Sequence, residues 1–309
     1  MSISVFSLDT APSLESSQAQ GTESLLMLKI LVTGATGNVG QEVLRLLQSH
    51  DCNICAAVRN PNSAKHLLGS NIQTIPFDFT NPDTFGYAFF QVNKLFLVRP
   101  PALANIHKQI APALNAAKLA GVEHIVFLSI LGAERNRFLP HSQIERYINE
   151  LGMRATFLRP SFFMQNLNTI HREDIKVRGE LLLPAGNGKT SFIDVRDIAA
   201  VAVRTLIEDG HQGKAYPLTG AAALTYYEVA DIFTSVLGKP IRYNPSLLNF
   251  VRQMRSKRLP IDFILVMVAI YTSARLGLAG NITPDTEQLL NRSPLSIRQY
   301  IEDYRQFWL

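Results

Sequence analysis

Three glycines spaced three residues apart, Gly34, Gly37 and Gly40, form the stretch of the sequence with the clearest chemical use. They follow the apolar segment 28–32 and precede apolar residues at helical spacing, so a strand enters the loop and a helix leaves it. In that context the first glycine permits a tight turn, the second lets a pyrophosphate approach the backbone, and the third lets the helix pack closely on the strand. The free amides at the helix start would face the diphosphate. We therefore predict a dinucleotide site rather than a purely structural turn.

The residue at the end of the second predicted strand, 54–58, indicates which nicotinamide dinucleotide the loop would hold. An acidic residue there bonds the ribose hydroxyls, whereas a basic one accommodates a 2′-phosphate. The sequence has Arg59 at this place and Lys65 six residues later, with no acidic residue between Asp51 and Asp78. On charge grounds we expect NADP(H) to be preferred over NAD(H). The alternative is that Arg59 is a solvated residue at a strand end.

Two further loops follow predicted strands and would lie at the same edge of the sheet. Asp78 and Phe79 come after the third strand, 72–77, where the carboxylate can bond an adenine amino group or cap the next helix. Arg99 and Pro100 come after the fourth strand, 94–98. Because ligands of open α/β sheets bind outside the carboxyl ends of the strands, we expect this second loop to run beside the nicotinamide ribose.

Ser129 follows the fifth predicted strand, 123–128, and marks the place where proton chemistry is expected. In classical short-chain reductases a serine here is followed by Tyr-x-x-x-Lys on a helix, in which the lysine lowers the tyrosine pKa so that the phenol can exchange a proton. Here Tyr147 is followed four residues later by a leucine, and the residue four before His141 is Arg137. The dyad is absent from this sequence.

The missing dyad speaks against alcohol dehydrogenation and sugar-nucleotide epimerisation, which need a proton-transfer group matched to the hydride. It leaves hydride transfer to an acceptor that needs little acid help, such as a quinone or a cationic dye, or no catalysis at all. His141 could supply an acid, because its ordinary pKa lies near neutrality. It could equally contact the cofactor ribose or cap the helix.

Six segments together resemble the NmrA-like family, a group of atypical short-chain dehydrogenase/reductases. They are 32–40 (VTGATGNVG), 58–61 (VRNP), 78–85 (DFTNPDTF), 95–101 (LFLVRPP), 141–148 (HSQIERYI) and 157–167 (FLRPSFFMQNL). The resemblance implies that NADP(H) is held by Gly34, Thr36, Gly37, Asn38, Val39 and Arg59. To these we add, as candidate cofactor contacts, Lys65, Asp78, Phe79, Arg99, Pro100 and Ser129. Some relatives reduce quinones or triphenylmethane dyes, while the founding regulator binds dinucleotide and a transcription-factor partner.

Aromatic residues after the sixth predicted strand, 155–158, are the candidate acceptor contacts. By resemblance this segment lines the pocket over the nicotinamide, where its side chains would form a flat apolar slot with one polar amide. The residues are Phe162, Phe163 and Asn166. As the alternative, the two phenylalanines pack as core between two lobes.

Strands and helices alternate over the first half of the chain, which predicts an α/β fold with a doubly wound parallel sheet. With the resemblance, we expect a Rossmann-type domain over 28–160. Residues 161–309 are expected to complete the sheet at about 190–220 and to form a smaller, mostly helical substrate lobe. A disordered tail is expected over 1–27.

Several local features can be predicted as well. We expect one helix from about 105 to 120 despite Pro112, and a hairpin-like excursion over 179–188. Thr225, with Glu228 three residues later, predicts a capping box. Asp194 and Asp197 precede a helix and are expected to cap it rather than to bind a metal.

The net positive charge of the chain is modest for its size. The 309-residue chain carries +5, and the remainder after residue 27 carries +8, because the first 27 residues hold three carboxylates and no basic side chain. This balance suits an anionic nucleotide. The basic stretch 252–258 is expected to be the solvated face of a helix, and no direct nucleic-acid binding is expected.

Cysteine usage and hydropathy exclude two further classes. Cys52 and Cys55 lack a second pair at zinc spacing, so we expect no metal, two strand residues and a reducing, cytoplasmic compartment. The apolar run 261–270 is too short to span a bilayer and predicts a buried or interface helix. We expect no membrane partner.

These observations favour an NADPH-dependent reductase that transfers a hydride to a small, flat, electron-poor acceptor such as a quinone. The alternative is a non-catalytic, dinucleotide-binding redox sensor that regulates a protein partner. Neither the acceptor nor the oligomeric state follows from the sequence.

Overall fold

A seven-stranded parallel sheet forms the centre of the molecule, in a computed structural model that describes residues 27–309. The predicted tail lies outside the described residues except for Met27. The strand order is β10-β6-β5-β4-β1-β2-β3, which confirms the predicted α/β fold with a doubly wound parallel sheet. The strands are β1 (Lys29–Val32), β2 (Asn53–Val58), β3 (Gln73–Pro76), β4 (Lys94–Val98), β5 (His124–Leu128), β6 (Ala155–Pro160) and β10 (Ala215–Leu218).

Helices cover both faces of this sheet, because its strands are apolar on both sides. On one face α1 (Asn38–Leu47) packs against α8 (Val195–Ile207), and their side chains share a core with the sheet. The other face is covered by α3 (Phe85–Phe89), α4 (Ile106–Gln109), α5 (Ala111–Leu119) and α6 (Pro140–Glu150). The short α2 (Pro61–Leu68) follows β2.

The C-terminal residues build a lobe around a third core, which includes the fully buried Trp308. Two small sheets belong to it: β11-β9-β7 and β12-β8. Their strands are β7 (Phe162–Phe163), β8 (Glu180–Leu182), β9 (Lys189–Ile193), β11 (Ala223–Thr225) and β12 (Arg242–Asn244). The helices are α7 (Asn166–Thr169), a π-helical turn (Asp174–Arg178), α9 (Tyr226–Leu237), α10 (Leu247–Ser256), α11 (Ile261–Arg275), α12 (Asp285–Leu290) and α13 (Ile297–Asp303).

Two local predictions were wrong. The single helix expected over 105–120 is broken at Ile110, so that Pro112 lies in the first turn of α5, where a missing amide costs no intrahelical bond. The excursion expected over 179–188 is not a hairpin, because β8 pairs with β12 and β9 pairs with β7 and β11. Both outcomes depend on partners that are distant in sequence.

The polar caps follow the predictions more closely. Thr225 and Glu228 form the predicted capping box at the start of α9. Asp194 caps α8 and also pairs with Arg196. Asp197 instead binds Arg292 and the backbone amide of Leu295, so its predicted capping role was wrong. No acidic, histidine or cysteine cluster suited to a metal occurs among residues 27–309.

The cysteines and the apolar run can now be placed. Cys55 lies buried in β2, whereas Cys52 lies just before that strand, so only one of them is a strand residue. The run 261–270 lies within α11, of which one side is buried and the other exposed. Across the part of the chain that the structure describes, no helix has the length and hydropathy to cross a membrane.

Candidate functional site

A groove of about 910 Å³ lies at the carboxyl ends of β1 to β4. The loops that follow these four strands line it, as expected where the order of a doubly wound sheet reverses. Of the predicted cofactor contacts, eight line the groove: Gly34, Thr36, Gly37, Arg59, Asp78, Phe79, Arg99 and Pro100. Four do not: Asn38, Val39, Lys65 and Ser129.

Close contacts in the glycine loop leave no room for a side chain at Gly34 or Gly40. Gly34 has a φ of +61°, and a Cβ there would lie 2.8 Å from the Cβ of Val98. A Cβ at Gly40 would collide with the carbonyl oxygen of Gly34 and lie 2.9 Å from the Cα of Ala35. The amide of Gly37 donates to the Gly34 carbonyl at 2.9 Å. The positive φ of Gly34 fits its predicted place in a tight turn, and Gly40 lets the start of α1 pack closely on the loop. The pyrophosphate contact expected at Gly37 stays a prediction.

Helix α1 begins directly at this loop, with Gly37 as its N-cap and Asn38 as its first residue. No side chain caps its first turn. The side chain of Val39 is buried in the core, so only its backbone is available to a ligand. A helix start with uncapped amides beside a groove is suited to an anion.

The outer end of the groove is polar and basic. Arg59 is exposed there at the end of β2. The Asn60 side chain caps α2 by accepting from the amides of Asn62 and Ser63 at 3.1 and 3.2 Å, which fixes the loop that carries Arg59. Lys65 is exposed on α2 but is not among the lining residues.

Asp78 closes a turn beside the groove. Its Oδ1 accepts from both the amide and the hydroxyl of Thr80 at 2.8 Å. The hydrogen bond from the Thr80 amide is the main reason that the pKa of Asp78 lies below its ordinary value. Asp78 therefore remains ionised and holds the loop through Oδ1. Its other carboxylate oxygen, Oδ2, takes no part in these two bonds. Phe79 is among the lining residues, and most of its side chain is buried.

Arg99 holds the loop after β4. Its Nη1 donates to the carbonyl oxygens of Pro100, Pro101 and Leu103 at 2.9 to 3.0 Å. Burial lowers the pKa of the guanidinium, yet the group stays charged at neutral pH. Its buried Nε has no hydrogen-bond partner among the described residues. Arg99 thus shapes one wall of the groove and keeps one donor unused.

Ser129 is bound to a neighbour that sequence reasoning missed. Its hydroxyl donates to Oε1 of the buried Glu145 at 2.6 Å. Arg159 donates to both oxygens of the same carboxylate, at 3.0 and 2.6 Å, and this bidentate bond raises the pKa of Arg159. The sequence offered one signal for Glu145, namely its spacing from His141. Glu145 lies four residues after His141 on α6, so the two side chains lie on the same side of the helix.

His141 lies in the first turn of α6, after Leu139 at the N-cap position and Pro140. The predicted alternative of a capping role finds no support, because no side chain caps this helix. Its ring stacks on Phe127 with centroids 6.1 Å apart. Burial, with a smaller effect from Arg99, lowers the pKa of His141 to about 4. The imidazole is therefore neutral at neutral pH and carries no extra proton to give.

The candidate acceptor residues lie at the junction with the C-terminal lobe. Phe162 packs edge-on against Phe192 and is tilted against Tyr271, while Phe163 packs against the core of the large sheet. Both are half-buried, and Asn166 begins α7. None of the three lines the groove. Part of each phenylalanine ring is thus packed in a core, as the alternative interpretation expected. Their role as acceptor contacts stays a prediction.

Several groove residues were not predicted. Ser63 and Thr80 contribute hydroxyl groups to the lining, and Leu103 contributes apolar surface. The sequence offered a signal for Ser63, which follows Asn60 within the first turn of a helix beside the basic strand end. The sequence offered no signal for Leu103, because its position depends on the hydrogen bond that its carbonyl oxygen accepts from Arg99.

Comparisons with known proteins agree with this architecture. The model of the NmrA-like family matches residues 27–284. An NAD(P)H azoreductase of Xenophilus azovorans is 38% identical over 252 residues, which cover 79% of this chain and 87% of the relative. Quinone oxidoreductase 2 of Escherichia coli is 31% identical over 237 residues, covering 75% of this chain and 82% of the relative.

Among solved structures, the triphenylmethane reductase of Citrobacter sp. in complex with NADP(H) is similar with a TM-score of 0.81. The two are 27% identical, and the match covers 89% of this chain and 99% of the reductase. Since the family model matches most of the chain, and two relatives exceed 30% identity over more than two thirds of it, this protein belongs to the NmrA-like family.

Proposed function

We propose that this protein is an NADPH-dependent reductase that transfers a hydride to a small, flat, electron-poor acceptor such as a quinone. Relatives named as azo-, quinone and triphenylmethane reductases support a reductase of this kind. Their named acceptors are planar and conjugated or, for triphenylmethane dyes, cationic. The proposal includes a reducing, cytoplasmic compartment, which the free thiols of Cys52 and Cys55 support.

The fit of the groove to a dinucleotide supports the cofactor. The glycine loop, which has no room for a side chain at Gly34 or Gly40, places the uncapped start of α1 beside the groove. At the far end, the exposed Arg59 is suited to a 2′-phosphate, which favours NADPH over NADH. The nicotinamide supplies the hydride when it is bound.

The class of acceptor that we propose rests on the hydrogen bond between Ser129 and Glu145. It commits the hydroxyl proton of Ser129 to a carboxylate, so that this serine is not free to donate it to a substrate. His141, with its pKa near 4, is neutral and a weak acid. Such a site suits a quinone, whose hydride adduct is a stabilised anion that water can protonate, or a cationic dye, whose hydride adduct is neutral and needs no proton. Aldehydes and ketones, which develop alkoxide charge, are disfavoured.

Steady-state oxidation of NADPH with a panel of acceptors tests the proposal. The panel contains a benzoquinone, an azo dye, a triphenylmethane dye and a simple aldehyde. We expect turnover with the quinone, slower turnover with NADH, and none with the aldehyde. Tight NADPH binding without turnover on any acceptor would contradict a reductase and favour the sensor alternative. A partner recovered with NADPH but not with NADP would then identify that second function.

A further inference from the structure

Helix α11 exposes a large apolar surface. Its sequence is apolar on every side, which is typical of a helix buried all round. Here Ile264, Met267 and Tyr271 are buried, while Leu265 and Val266 on the other side are 59% and 57% exposed. Among the described residues, ten of the nineteen exposed large hydrophobic side chains lie between 247 and 282. A concentration of this size marks an interaction surface.

Helix α10 extends this surface and adds positive charge. It packs against α11, with the rings of Phe250 and Tyr271 in edge-on contact at 5.6 Å. Its exposed side carries Leu248, Arg252 and Arg255 at helical spacing i, i+4 and i+7. We call the exposed side chains of α10 and α11 the basic-apolar face: Leu248, Arg252, Arg255, Leu265, Val266 and Ile270.

The charge of this region is strongly one-sided. Residues 247–282 contain five basic side chains and one acidic side chain, Asp262. Of the basic ones, Lys257 is used inside the lobe, where it pairs with the buried Asp174 at 2.8 Å. Arg252, Arg255 and Arg258 are exposed. Exposed aliphatic side chains beside exposed arginines supply the apolar and the electrostatic contacts through which a protein surface binds an anionic bilayer.

The same charge argues against a second copy as the occupant. A twofold dimer through the basic-apolar face would place two surfaces of the same net positive charge opposite each other, which opposes association. One aspartate per copy cannot neutralise them. An anionic lipid surface complements both the charge and the apolar side chains.

We infer that the basic-apolar face binds the surface of a membrane that contains anionic phospholipid, with α10 and α11 lying along it. This goes beyond the reductase proposal and does not depend on it. It is also compatible with the absence of a spanning helix among residues 27–309. The sequence-based expectation of no membrane partner rested on the shortness of the apolar run, whereas surface binding needs only one exposed side.

Co-sedimentation of the full chain with vesicles tests the inference. We expect weak binding to phosphatidylcholine vesicles and clear binding when about a third of the lipid is phosphatidylglycerol, reversed by high salt. The variant R252Q/R255Q should weaken the partition coefficient about 30-fold, because each arginine near an anionic surface contributes about fivefold. The variant L265Q/V266Q should weaken it about tenfold or more, even at low salt.

Matched controls lie on helices that belong to a different core. K108Q and L119Q change an exposed charge and an exposed leucine on α4 and α5 and should leave vesicle binding unchanged. Far-ultraviolet circular dichroism and a urea unfolding curve verify that every variant is folded. The inference is overturned if the unaltered protein does not bind anionic vesicles. It is overturned as well if R252Q/R255Q binds these vesicles as tightly as the unaltered protein does. It is also overturned if sedimentation shows a dimer that L265Q/V266Q dissociates while vesicles are not bound.

Discussion

The hydroxyl of Ser129 lies 2.6 Å from the buried carboxylate of Glu145 and donates its hydrogen bond there. Ser129 follows β5 and Glu145 lies on α6, so the contact joins the sheet to the helix that carries His141. Arg159 at the end of β6 completes the cluster. The serine that follows β5 is thus held in a hydrogen-bonded, charge-paired network.

This network predicts a large stability effect at Glu145. The variant E145A leaves the mostly buried Arg159 without its bidentate partner and should lower the free energy of unfolding by about 3 kcal/mol. Urea denaturation measures it. As a control, E42A breaks the exposed pair with Arg45 on α1 and should cost less than about 1 kcal/mol. Equal, small losses in both variants would show that the cluster does not stabilise the fold.

The glycine loop predicts a steric effect at Gly40. The variant G40A forces the loop backbone away from the Gly34 carbonyl and should destabilise the protein by about 1–3 kcal/mol, with weaker NADPH binding. Urea denaturation and an NADPH titration measure the two effects. Gly86 on α3 has open space around it, so G86A should be neutral or stabilising. A G40A protein with unchanged stability and affinity would contradict the close packing.

Arg59 is predicted to select the cofactor. Removing a guanidinium that pairs with the 2′-phosphate should raise the Kd for NADPH about 10- to 100-fold in R59A and leave the Kd for NADH almost unchanged. Quenching of protein fluorescence on titration gives both constants. R45A, on the exposed side of α1, is the control. An equal rise in the Kd for NADPH and for NADH in R59A would show that Arg59 does not bind the 2′-phosphate.

His141 is predicted to be dispensable for proton transfer. Because its pKa of about 4 leaves the ring neutral, H141Q should lower kcat with a quinone by less than about tenfold. Loss of a general acid would instead cost about 10²–10⁴. The pH profile of kcat between about pH 6 and 8 should have the same shape in both proteins. A profile whose inflection disappears in H141Q would assign the acid to this residue.

Buried His124 is predicted to make stability depend on pH. Its ring accepts or donates one bond with Thr156 at 2.9 Å, and burial lowers its pKa from 6.5 to about 4. Between these two pKa values the unfolded chain binds more protons at this histidine than the folded chain does. The contribution of His124 to the free energy of unfolding is therefore fully present above its unfolded pKa and is lost as the pH decreases. From about pH 7 to about pH 5 this group should remove about 2 kcal/mol.

The measurement compares the unfolding free energies of the unaltered protein and H124Q at both pH values. The difference between them should shrink by about 2 kcal/mol at the lower pH. H66Q, at an exposed position on α2, is the control. Parallel pH curves for the unaltered protein and H124Q would show that His124 is not the group responsible.

The sequence by itself determined the alternation of strands and helices, the glycine loop and the basic end of β2. These features depend on local periodicity, on the need for residues without side chains, and on charge at one strand end, all of which are visible in a short window. The central sheet and eight groove residues could therefore be predicted. The capping box at Thr225 was predictable for the same reason.

Only the tertiary structure decided how the chemically interesting side chains are used. Ser129 received its partner from α6 and β6, and the low pKa of His141 comes from burial beside Arg99. The pairing of β8 with β12 and the exposure of one side of α11 also arise between segments far apart in the chain. Residue type sets what a side chain can do, but its partners and its access to water are set by contacts that local patterns do not encode.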